Sequence, residues 1–137
     1  MKPEKVIFSL LGSDSVVTSK VGDRIFPVVA PKGATLGSQY LIVRKISDVK
    51  QNSIAQNASF VLRKARIQID CKANDYELLK QLVASVSKAC DLKNGDIDSV
   101  LVVSCMLILE GAEGYDSGLQ FFEQPIDFQI FYHDSGV

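Results

Sequence analysis

Residues 64–90, KARIQIDCKANDYELLKQLVASVSKAC, change their hydrophobic period once, and this change decides the fold. Over residues 64–73 apolar and polar side chains alternate strictly, which predicts a β-strand with one buried face. After Ala73, apolar residues recur at steps of three and four, which is the spacing of an amphipathic helix. These helical positions are Leu79, Leu82, Val83, Val86 and Cys90. The stretch therefore predicts a strand and a helix with matched apolar faces, and it contains no reaction centre.

Side chains that cap helices indicate where the helices begin. Residues 4–11 predict a short helix, and Ser13 or Asp14 is a suitable N-cap for a second one. Asn74, with Glu77 three residues later, matches the capping-box pattern for the main helix. The chain is therefore expected to have two short N-terminal helices and one long central helix.

Four segments rich in β-forming residues predict the strands. They are residues 40–47, 60–73, 100–109 and 121–132. Asn94 and Gly95 predict a turn before the third of these strands. The order of the elements is typical of an α+β domain. We expect a mostly antiparallel four-stranded sheet, one long helix packed on one face and short N-terminal helices, in a single domain spanning residues 1–137.

The composition excludes several classes of protein. The chain has 137 residues, with 15 basic and 16 acidic side chains and a net charge of −1. No overall field would therefore attract it to nucleic acid or to a membrane surface. Its apolar runs are far shorter than the ~20 residues of a transmembrane helix, so we expect no membrane partner. Glu4 interrupts the N-terminal apolar run and no small-residue cleavage site follows, which argues against a signal peptide.

Residue types with catalytic or metal-binding chemistry are few and scattered. Cys71, Cys90 and Cys105 are odd in number and fit no zinc spacing, so we expect buried free thiols and intracellular synthesis. His133 is the one histidine, and thiol catalysis with Cys105 conflicts with the apolar setting of that cysteine. Residues 31–37 contain glycine and lysine but lack the Gly-Lys-Ser/Thr ending of a phosphate-binding loop. We expect no catalytic residue, no metal site, no cofactor and no enzymatic activity.

One basic cluster lies in the second predicted strand. It consists of Arg63, Lys64, Arg66 and Lys72. On strict alternation the last three of these share one face of the strand, and Asp70 lies on that face too. A solvated sheet face is the simplest interpretation of this mixture of charges. Contact with a nucleic-acid backbone would need more positive charge, which only several copies arranged in a ring could supply.

The third predicted strand is apolar on both faces, which a monomer of this fold does not easily accommodate. Strict alternation would place Leu101, Val103, Cys105, Leu107 and Leu109 on one face. The other face would carry Val100, Val102, Met106 and Ile108. Burying those four side chains would contribute ~6–12 kcal/mol. The short N-terminal helices or a neighbouring subunit could cover them. We nominate these four residues as a subunit interface, at which a charge in place of Val102 or Met106 should abolish the oligomer.

Two long polar connections are candidate docking loops. Residues 49–59 join the first two predicted strands and residues 110–118 join the last two, and both exceed the length of most hairpin loops. Loops held by a rigid scaffold commonly make such contacts. The residues nominated for docking are Lys50, Gln51, Asn52, Gln56, Asn57, Glu113, Tyr115 and Asp116.

Five segments share their order and spacing with a known family. They are VGDRIFP at 21–27, APKGA at 30–34, YLIVRKIS at 40–47, RKARIQIDC at 63–71 and IDFQIFY at 126–132. Together they resemble the tail-completion proteins of long-tailed bacteriophages, also called tail-terminator or tail-to-head joining proteins. The resemblance covers nearly the whole chain, from residue 4 to residue 132.

The resemblance implies a non-enzymatic virion protein of the head–tail interface, made in the host cytoplasm. Such proteins assemble as a ring, usually a hexamer, on the end of the tail tube. The implied partners are other copies of the chain, the tail tube protein, the head-side connector and genome DNA, which passes through the ring without sequence-specific binding. The family identifies no catalytic or ligand residue. The alternatives are a head-side stopper or adaptor, a tube protein, or a cellular α+β binding module.

Overall fold

The computed structural model of the protein describes residues 2–29, 39–51, 61–118 and 120–134. Three helices and seven strands follow one another within these residues. They are α1 (Lys2–Ser13), α2 (Ser15–Val21), β1 (Ile25–Pro27), β2 (Tyr40–Lys50), β3 (Val61–Ala73), α3 (Tyr76–Cys90), β4 (Lys93–Ile97), β5 (Val100–Glu110), β6 (Gly114–Asp116) and β7 (Phe121–Asp134). No helix among the described residues is long and apolar enough to cross a membrane.

The prediction of a mostly antiparallel four-stranded sheet with one long helix is wrong. The described part of the chain forms one curled, mixed sheet of seven strands in the order β1-β2-β3-β7-β5-β4, with β6 beside β7. Strand β1 is parallel to β2, and the other pairs are antiparallel. Strands β1, β4 and β6 have only three, five and three residues. Segments this short contain too few alternations to reveal a period of two, which is why the sequence did not predict them.

The helix caps lie close to the predicted positions. The Asp14 carboxylate accepts hydrogen bonds from the backbone N–H groups of Val16 and Val17, both at 3.0 Å, and begins α2. Helix α3 begins one residue later than predicted, because Asp75 rather than Asn74 accepts from the Glu77 N–H, at 2.9 Å.

The predicted turn at Asn94 and Gly95 is also wrong, because both residues lie within β4. The chain reverses instead at Asp98 and Ser99, whose φ angles are 50° and 67°. Two consecutive residues with positive φ are the mark of the two-residue turn that suits twisted hairpins. This turn joins β4 to β5 and sets their register.

The core lies between one face of the sheet and the three helices. Helix α3 packs on the central strands β3 and β7, and α1 and α2 pack beside it. The apolar faces predicted for the strand and the helix of residues 64–90 pack against each other in this core. The largest fully buried side chains include Ile67, Ile69, Leu79, Leu82, Ile126, Phe128 and Ile130.

Candidate assembly surface

Strand β5 does not keep a single alternation of faces. Its register against β7 shifts between Val102 and Ser104, and again between Leu107 and Leu109. An extra residue in one strand of a pair reverses the alternation beyond it. The sequence prediction that Val103 shares a face with Cys105 is therefore wrong: Val103 is 50% exposed and Cys105 is fully buried.

The four residues nominated as a subunit interface are divided by these shifts. Val100 and Val102 are 4% and 2% exposed and belong to the main core, where α1 and α3 contact β5. Met106 is partly buried, and Ile108 is 41% exposed. The helices of the same chain therefore cover the first two residues. Whether β5 forms a subunit interface is not tested by a single chain and stays a prediction.

Strand β5 exposes four apolar side chains. Leu101 and Leu109 lie on the outer face of the sheet, away from the helices, and Val103 and Ile108 lie at the two register shifts. We call Leu101, Val103, Ile108 and Leu109 the β5 patch; they are 53%, 50%, 41% and 48% exposed. Each is about half buried already, so covering all four would contribute ~3–6 kcal/mol. Exposed apolar side chains concentrated on one strand favour an interaction surface.

The basic cluster of β3 is largely neutralised within the sheet. Arg66 donates to the 2%-exposed carboxylate of Asp127 at 2.6 Å, and Arg63 donates to Asp48 at 3.0 Å. Lys72 forms an ion pair with Glu123. Three of the four cluster residues thus have acidic partners, which favours the solvated-face interpretation over nucleic-acid contact.

A small aromatic cluster, separate from the main core, joins the beginnings of β2 and β7 to β1. The rings of Tyr40 and Phe121 meet edge to face with centroids 5.3 Å apart, and Phe26 lies 6.3 Å from Tyr40. Ile42 completes the cluster. Phe26 and Tyr40 belong to the segments that carry the family resemblance, so here those segments serve packing rather than chemistry.

The first docking connection is described only at its ends. Lys50 is exposed at the end of β2, and the Gln51 N–H donates to the Leu62 carbonyl oxygen at 2.9 Å. Asn52, Gln56 and Asn57 lie outside the described residues. The docking role of this connection stays a prediction.

The second docking connection is held against the rest of the protein. The Glu113 carboxylate accepts from the Tyr76 hydroxyl and from Lys80 Nζ, both at 2.7 Å. The bond from Lys80 is the main reason why the pKa of Glu113 is lowered. Gly111 lies so close to β7 that a Cβ atom would stand 2.8 Å from Pro125 Cγ. These contacts hold the connection beside helix α3.

The middle of this connection forms the short strand β6, which pairs with β7 and was not predicted from the sequence. Tyr115 is 52% exposed, and its ring lies 4.7 Å from that of Phe122. The Asp116 carboxylate accepts from the Gly118 N–H at 3.0 Å. Tyr115 is thus presented on a short strand, and its nomination for docking stays a prediction.

The cysteines lie in apolar surroundings and are free and buried, as expected. Burial raises the pKa of the Cys71 and Cys90 thiols, and it raises the pKa of Cys105 to about 12. Cys105 stands opposite Ile130 on the core side, whereas His133 stands opposite Leu101. The structure therefore does not bring the two together as a catalytic pair. Among the described residues, no group of three or more His, Cys, Asp or Glu could hold a metal ion.

Comparison with known proteins identifies a shared fold. No protein-family model matches the chain, and no curated protein matches it significantly. A chain of the solved "Virion of native gene transfer agent (GTA) particle" is similar, with a TM-score of 0.65 and 15% sequence identity. The match covers 93% of this chain and 91% of that chain. The two chains therefore share their fold along almost their whole length.

Proposed function

We propose that the protein is a structural component of a virion. The observation that carries this proposal is the fold, which is shared over 93% of the chain with a chain of a virion particle. The exposed β5 patch supports it, because an assembly protein needs a surface for its neighbours. The buried, unreactive thiols and the separation of Cys105 from His133 favour a non-enzymatic role.

The more specific proposal is a tail-completion protein that closes the end of a phage tail tube as a ring. The ordered resemblance of residues 21–27, 40–47, 63–71 and 126–132 to that family supports this role. The partners would be further copies of the chain, usually six in all, the tail tube protein and a head-side connector. Genome DNA would pass through the ring without sequence-specific binding.

Sedimentation with purified tail tubes tests this role. A protein that closes tubes binds only at their ends, so the amount that pellets should depend on the number of tubes and not on their length. Binding that rises in proportion to tube length would instead identify a tube component. Absence of the protein from the pellet at all concentrations would contradict a tail role altogether.

A further inference from the structure

The second half of β2 lies at an edge of the sheet and is largely exposed. Residues 40–43 are buried, whereas residues 44–50 are exposed except for Asp48, which is partly buried. Strand β1 pairs with β2 only at residues 41–43, so the second half has no strand on that side among the described residues. We call residues 46–51 the β2 arm.

A register shift places Asp48 of the arm on the core side of the sheet. The pairing of β2 with β3 shifts between Lys45 and Ser47, so Ile46 is an extra residue. An extra residue reverses the alternation of faces, so the odd-numbered residues share the core side before it and the even-numbered residues share it afterwards. Asp48 therefore stands opposite Ala65 of the main core, and its carboxylate lies on the same face.

The Asp48 carboxylate connects the arm to two other strands. It accepts a hydrogen bond from Arg63 Nε on β3 at 3.0 Å and one from the Tyr132 hydroxyl on β7 at 2.6 Å. The Asp48 side chain is 12% exposed, and Tyr132 is buried in the main core. Burial, followed by the bond to Asp48, raises the pKa of Tyr132, so its hydroxyl stays protonated and remains a donor. The bond thus reaches across β3 and fastens an edge of the sheet to a central strand.

We propose that the bond between Asp48 and Tyr132 is a lock that sets how often the β2 arm opens while the core stays folded. The apolar side chains of the arm, Ile46 and Val49, are 47% and 50% exposed already, so opening uncovers little apolar surface and the broken hydrogen bonds set its cost. Proteins draw the elements that bind or rearrange from such segments of low local stability. The inference concerns the single chain and does not rest on the tail role.

Tyr132→Phe tests the lock, because it removes the hydroxyl and keeps the ring that packs in the core. The lost hydrogen bond has a charged acceptor, so the amides of the arm that bond to β3 should exchange with solvent about tenfold faster or more. Hydrogen exchange followed by NMR measures each amide. An unchanged rate in the arm would overturn the proposal.

Gln124→Ala is the matched control, because Gln124 is another buried polar side chain of β7. It accepts from Lys80 Nζ at 3.0 Å and donates to the Gly111 carbonyl oxygen at 3.1 Å. These bonds lie towards the opposite end of β7 and stay intact when the arm opens, so exchange in the arm should not change. The core amides that exchange only by global unfolding should exchange faster in both variants. Equal acceleration of the arm by Gln124→Ala would overturn the lock, since the arm would then open only with the whole protein.

A double-variant cycle tests whether the two side chains act through one bond. Asp48→Ala should accelerate exchange in the arm at least as much as Tyr132→Phe, because it also removes the acceptor of Arg63. Adding Tyr132→Phe to Asp48→Ala should accelerate exchange no further, because the hydroxyl has already lost its acceptor. Acceleration by the product of the two single effects would show independent action and overturn the lock. Circular dichroism verifies that each variant is folded, and if Asp48→Ala is not, Tyr132→Phe and Gln124→Ala decide the question.

Discussion

Asp127 is a buried carboxylate held by donors from the neighbouring strand. Its side chain is 2% exposed and accepts from Arg66 Nε at 2.6 Å and from Gln68 Nε2 at 3.2 Å. Asp127→Ala removes the acceptor of both donors. We expect it to lower the free energy of unfolding by ~1.5–3 kcal/mol, the usual range for hydrogen bonds to charged groups. Urea denaturation measures this loss.

A more exposed ion pair provides the control for Asp127. The Lys2 and Asp134 side chains are 34% and 24% exposed and meet at 2.7 Å. Because water screens such a pair, Lys2→Ala should cost less than ~1 kcal/mol. Equal losses from the two variants would contradict the importance assigned to the burial of Asp127.

Asp70 predicts a dependence of stability on pH. Burial is the main cause that raises its pKa above 3.8, although Lys72 and Arg44 oppose the shift. The folded state therefore binds this proton more tightly than the unfolded state, and stability falls as pH rises through the raised pKa. Asp70→Asn removes the free-energy cost of ionising a buried carboxyl group. The stability of this variant relative to the unaltered protein should therefore increase from pH 3 to pH 7.

The matched control for this effect is Asp96→Asn. It removes one negative charge from an exposed side chain of β4 and relieves no buried carboxylate. Denaturation at a series of pH values compares the two variants with the unaltered protein. An Asp70→Asn variant that loses stability relative to the unaltered protein as pH rises would contradict the assigned direction.

At the scale of elements, strand β5 gives the sharpest test of side-chain orientation. Val102 is 2% exposed and its neighbour Leu101 is 53% exposed. Val102→Asp would bury an unpaired charge, so we expect it to cost more than ~3 kcal/mol and to leave little folded protein. Leu101→Asp should stay folded. Thermal unfolding monitored by circular dichroism compares them, and a stable Val102→Asp variant would show that the strand is oriented differently.

The elements that could be predicted are those long enough to show a period. The alternation that ends at Ala73 and the helical spacing from Leu79 to Cys90 lie in β3 and α3, and Asp14 caps α2 as expected. Strands β1, β4 and β6 could not be predicted because three to five residues show no period. Nor could the register shifts of β5, since a bulge depends on the partner strand and leaves no signal in an apolar run.

The nomination of Val100, Val102, Met106 and Ile108 as a subunit interface stays a prediction, but the structure buries the first two of these residues in the core of the chain itself. The excess of apolar residues in β5 pointed to an interaction surface, and Ile108 is indeed exposed. Val100 and Val102 face the core because the alternation breaks between Val102 and Ser104.

At the scale of the whole molecule, the two faces of the sheet differ. The core face is covered by the three helices, while the outer face carries paired charges at its centre and exposed apolar side chains of β5. A chain of a virion particle shares this fold over almost its whole length.

Electron microscopy of the purified protein with tail tubes tests the central claim most directly. The protein is expected as a ring, usually of six subunits, at one end of each tube, and Leu101→Asp is expected to leave the tube ends bare. Val16→Asp is the control, because Val16 is 52% exposed on α2 and lies outside the β5 patch; this variant should form the same rings as the unaltered chain. A protein that stays monomeric at every concentration and never associates with tubes would contradict the account.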